Sequence, residues 1–109
     1  MGLGGLGQAM EVDFNALVND VADKFEGRFE TRVTPDARIA IIKPARPYQK
    51  QVEAELKAGK ITLSFLQDSI FQVLENAREI AAELDADEID KTAVQTSMKR
   101  KCPYIMWCE

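Results

Sequence analysis

Histidine is absent from the 109 residues of this chain. That removes the usual general base, the commonest metal ligand and every nucleophile that an imidazole activates. Cysteine is almost absent. Cys102 and Cys108 are the only two, and both lie at the C-terminal end, which excludes the disulfide framework of a small secreted protein. No apolar run approaches the length of a membrane span. The opening stretch, MGLGGLGQAM, lacks the basic and apolar regions of a signal peptide, and Leu6 breaks the myristoylation pattern. Basic excess is missing as well. Fourteen Lys and Arg face 18 Asp and Glu, a net charge of −4, which argues against a nucleic-acid partner. By elimination the expected location is the cytoplasm, with no cofactor and no metal.

What remains is ordinary globular material. A 46% hydrophobic share and a 29% charged share suit one folded domain, and the length leaves no room for two. The expected organisation is a flexible glycine-rich segment at 1–10, a single α-rich domain at 11–101, and an aromatic, cysteine-bracketed tail at 102–109. The expected fold class is α+β, predominantly α: a helix, a β-hairpin, then three helices in a small bundle.

The first helix is predicted from about Asp13 to Glu26. Phe14, Leu17, Val18, Val21, Ala22 and Phe25 make one apolar stripe at helical spacing. Asp13 suits the N-cap, and Gly27 suits the residue beyond the C-terminus. Phe29, Thr31 and Val33 then alternate with Arg28, Glu30 and Arg32, the pattern of a strand. Thr34-Pro35-Asp36-Ala37 suits a tight turn, and Arg38 to Lys43 reads as the return strand. Pro44 and Pro47 flank an extended connector to a helix over about 47–58, with Glu53 and Lys57 spaced to pair.

The longest predicted helix carries most of the information. Leu63, Leu66, Ile70, Val73, Ala77, Ile80 and Leu84 repeat at alternating spacings of three and four. Phe65, Phe71, Leu74 and Ala81 broaden this seam into a face wide enough for a core. Ser64 and Gln67 have capping-box spacing. A final helix is expected over about 88–101, capped by Asp87.

Two motif-like stretches carry no chemistry. Gly59-Lys60-Ile61-Thr62 lacks the first glycine and the feeding strand of a phosphate-binding loop. The acidic group Glu75, Glu79, Glu83, Asp85, Asp87, Glu88 and Asp90 lacks the fixed offsets and central glycine of a calcium loop. It reads as a solvated face. The tail stands apart: Lys99-Arg100-Lys101 precedes a segment holding Cys102, Tyr104, the only tryptophan, Trp107, and Cys108. Pro103 and the basic run favour a tail in water, open to recognition or modification.

The function expected from these features is noncatalytic: an adaptor, inhibitor or accessory subunit that binds another protein or itself through the seam from Leu63 to Leu84, as an oligomer or complex subunit. The alternative is a folded-leader precursor or carrier whose segment Cys102 to Glu109 is modified or recognised by other enzymes. A small enzyme ranks third, disfavoured by the missing histidine.

Overall fold

Asp13 opens the first helix by accepting the Ala16 N–H at 3.1 Å. The computed structural model describes residues 11–107; the segment 1–10, Cys108 and Glu109 lie outside the described residues. Helix α1 runs Phe14–Phe29 and buries Phe14, Val18, Val21, Ala22 and Phe25, five of the six stripe positions expected from the spacing; Leu17 is half-buried. It passes Gly27 and ends three residues later than predicted, with Glu30 in the left-handed region at φ 51°. The reason is tertiary. Phe29 lies 4.5 Å from the Phe25 ring and 5.8 Å from Phe71, so packing holds the last turn helical.

The expected hairpin is not formed. Only Arg32–Val33 is a strand, β1, and Thr34 begins a helix instead of a turn. Its hydroxyl accepts the Ala37 N–H at 3.1 Å, Pro35 takes the first helical position, and α2 continues Pro35–Ala45. Thr-Pro-Asp-Ala suits both outcomes, because the first corner of a type I turn and the first turn of a helix share nearly the same backbone angles. Burial decides between them: Ala37, Ala40, Ile41, Ile42 and Ala45 face the core at helical spacing, while Ile39 is 55% exposed. Arg38, expected to start a strand, joins α1 to α2. Its guanidinium pairs with Asp23 at 2.8 Å and Glu26 at 3.0 Å, and its Nε donates to the Val33 carbonyl at 3.2 Å.

Pro44 lies inside α2 and not in an extended connector. It falls in the last turn, where its missing N–H costs one helical bond and the chain passes into a 3-10 turn at Arg46–Tyr48. Helix α3, Gln49–Lys57, buries only Val52. It is held by Val12 just ahead of α1, since Glu53 accepts the Val12 N–H at 2.9 Å and Gln49 donates to the Val12 carbonyl at 3.0 Å. Gly59 follows at φ 76°, a conformation that other residues adopt at a cost.

Helix α4, Leu63–Glu83, is capped by Thr62, whose hydroxyl accepts the Phe65 N–H at 3.0 Å; Ser64 lies one residue inside. The last helix also starts later than predicted. Glu88–Ile89 forms strand β2, and Asp90, not Asp87, caps α5, Lys91–Arg100. Strands β1 and β2 pair in parallel, Arg32 opposite Glu88 and Val33 opposite Ile89. The Thr34 N–H extends the ladder to the Ile89 carbonyl at 3.0 Å. Two helix–strand–helix passages, α1-β1-α2 and α4-β2-α5, are thus joined through their strands. Within this frame Ser97 donates to the Val73 carbonyl at 2.9 Å, tying α5 to α4. Among the described residues the fold is predominantly α with one short parallel β pair.

Candidate interaction surface

The seam of α4 lies inside the molecule. Leu66, Ile70 and Ala77 are wholly buried, and Val73 and Ile80 nearly so. These five residues are packed by the chain's own core and present no surface to a partner. This corrects the expectation of a binding face along the whole seam. Only its ends emerge: Leu63 is 53% exposed and Leu84 is 65% exposed. The seam is covered by α5, whose Ser97 bonds the Val73 carbonyl, and by α1, whose Phe25 meets Phe71 of α4.

The tail folds back. After α5 the chain crosses an exposed, extended Lys101 and turns through Ile105–Trp107 as a 3-10 turn. Trp107 is 1% exposed and Met106 is 2% exposed. The indole N–H donates to the Ile41 carbonyl of α2 at 2.8 Å. The Tyr104 hydroxyl donates to the Glu55 carboxylate of α3, and the Tyr104 ring meets Phe65 of α4 edge-on at 5.2 Å. Three helices therefore hold one short segment. The exposed-tail expectation fails at Trp107 because this tryptophan has both an apolar seat and a carbonyl for its N–H. Its premise about the basic run holds: Lys99, Arg100 and Lys101 stay exposed. Cys102 is exposed and disulfide-bonded. Cys108, the other cysteine of the tail, lies outside the described residues.

The Tyr104–Glu55 contact shifts both groups. Burial, then the hydrogen bond and the charge of Glu55, pushes the Tyr104 phenol up to about 12. Hydrogen bonds from Tyr104 and then Gln51 hold Glu55 below its ordinary value. A depressed carboxylate contributes docking that is present above its unfolded value and lost as pH falls through the folded one. A raised phenol contributes docking that is full below its ordinary value of 10.0 and lost as pH rises toward about 12. The tail is therefore expected to grip most firmly between those limits. The Tyr104 titration, read as the absorbance difference between the parent and Tyr104→Phe, should have its midpoint near 12 and fall only in part in Glu55→Gln, because burial, the largest cause, remains. A midpoint unmoved by Glu55→Gln would dissociate the shift from this contact.

A second cluster went unread in the sequence. Phe25, Phe29 and Phe71 meet with centroids 4.5 to 5.8 Å apart. Arg28 lies 5.6 Å from the Phe29 centroid and Arg78 lies 5.2 Å from it. Arg78 also donates to the Thr31 hydroxyl at 3.3 Å. The only sequence signal was the neighbouring Arg28-Phe29 pair, which the strand reading split across two faces.

The acidic residues remain dispersed in role. Asp90 caps α5, Glu88 pairs with Arg32 at 3.2 Å, and Glu83 lies 3.8 Å from Arg100. Among the described residues no group of three or more Asp, Glu, Cys or His is placed to hold a metal ion. No described helix is long and apolar enough to cross a membrane. Comparison with protein families, curated proteins and solved structures finds no match to this chain.

Proposed function

We propose that the chain is a small noncatalytic helical module that binds another protein or a second copy of itself, and that contact is made at the ends of the long helix. The supporting observation is the exposure of Leu63 and Leu84, which continue the buried seam into solvent at both ends of α4. Fully burying one such leucine contributes about 1.5–3 kcal/mol, so a partner covering either end gains a useful anchor. Single exposed leucines are common on protein surfaces. The weight of the reading lies in their continuity with the seam. The precursor reading gains no comparable support, because Trp107 must leave its seat before another enzyme can reach it.

Sedimentation of the purified chain at micromolar concentration tests self-association, with Leu63→Ser and Leu84→Ser beside it. A photo-crosslinking residue at either position, expressed in the native host, tests for a different partner. Association that both substitutions weaken, or a discrete crosslinked product, is the expected result. A monomer that crosslinks to nothing at either end overturns the proposal.

A further inference from the structure

We propose that the seat occupied by the tail is a peptide-binding site, with the chain's own C-terminal segment as resident ligand. In trans it accepts a partner segment that carries a tyrosine and a tryptophan three residues apart. The contacts involved include neither Leu63 nor Leu84, so this proposal stands or falls apart from the preceding one.

The seat is built from elements other than the one that delivers the tail. Ile41 of α2 supplies a carbonyl to the indole, Glu55 of α3 supplies a carboxylate to the phenol, and Phe65 of α4 supplies an aromatic edge. The link from α5 is the exposed pair Lys101 and Cys102, with Lys101 extended at φ −140° and ψ 117°. The indole and phenol contacts lie beyond this link. The segment is also internally shaped: the Trp107 backbone N–H donates to the Tyr104 carbonyl at 2.9 Å, and this turn directs both aromatic anchors to the seat. An apolar pocket for the indole, a backbone acceptor for its N–H and a rim carboxylate for a hydroxyl are the features by which a groove reads a short aromatic peptide.

Tethering decides whether a partner gains entry. A segment on a short link has an effective concentration on the order of millimolar, so the chain's own tail holds the seat against dilute competitors. A partner's apparent affinity is reduced by the fraction of time the seat is open. Anything that weakens the tail without touching the seat must then strengthen binding in trans.

The probe is a fluorophore-tagged synthetic peptide of residues 99–107 with Cys102→Ser, titrated by anisotropy into the full chain. The parent, Tyr104→Phe and Trp107→Ala are compared. Because Trp107 is the only tryptophan, an untagged form of the peptide brings the sole indole to the Trp107→Ala chain. Its emission should shift to the blue as it enters the seat, and peptide should raise the melting temperature of that chain. Tyr104→Phe, which leaves the seat intact, should bind the peptide about fivefold tighter than the parent, the factor set by one lost hydrogen bond. Trp107→Ala should bind at least about tenfold tighter, and a peptide lacking its tryptophan should not bind. A folded Trp107→Ala chain that ignores the peptide overturns the proposal. Should that chain not fold, equal affinities for the parent and Tyr104→Phe overturn it.

Discussion

Trp107→Ala is expected to cost about 3–5 kcal/mol of unfolding free energy, the range for removing a large aromatic from a packed core. The side chain is 1% exposed and its N–H is bonded to the Ile41 carbonyl, so the substitution opens a cavity and removes a donor together. Against a total margin of about 5–15 kcal/mol for a domain of this kind, that loss threatens folding. Trp107→Phe separates the two effects: it keeps most of the volume and gives up the hydrogen bond, so about 1–2 kcal/mol should be lost. Denaturant unfolding followed by circular dichroism measures both. An unchanged midpoint in Trp107→Ala would mean that the tail does not complete the core in solution.

Ile70→Ala should rank next, at about 2–5 kcal/mol. Ile70 is wholly buried in α4, among the largest fully buried side chains of the molecule. Glu79→Ala, on the exposed side of the same helix, should stay within about 0.5 kcal/mol of the parent. The pair tests helical phase independently of any partner. Equal losses would place the buried face of α4 on the wrong side. Leu84→Ala sharpens the comparison, because the seam reaches Leu84 but burial does not. Its cost should resemble that of Glu79→Ala in the isolated chain.

The errors of the sequence reading share one cause. Phe29, Thr31 and Val33 alternate as a strand does, yet Phe29 closes a helix because Phe25 and Phe71 surround it. Thr34 to Ala37 was ambiguous between turn and helix start, and what settles it is Ala37, Ala40 and Ile41 meeting the core. Ile39 and Ile41 looked like one face of a strand; in a helix they diverge, one exposed and one buried. The candidate site suffered likewise. Leu63 and Leu84 fall on the apolar seam by spacing, but nothing local distinguishes them from Ile70 or Ala77. Phe65, Glu55 and Ile41, which hold the tail, gave no signal, since their partner is a segment far along the chain.

The sequence by itself determined what depends on near neighbours. The stripes of α1 and α4, the cap at Asp13, the left-handed glycine at position 59 and the exposed basic run before the tail are properties of residues within a turn or two of one another. Tertiary structure alone decided which strand pairs with β1, what covers the seam and where Trp107 goes. Arg32 and Glu88 meet across 56 residues, and the Trp107 indole reaches Ile41 across 66. Partners at such distances are selected by competition among all the apolar surfaces of the chain for burial, a choice that spacing along the sequence does not encode.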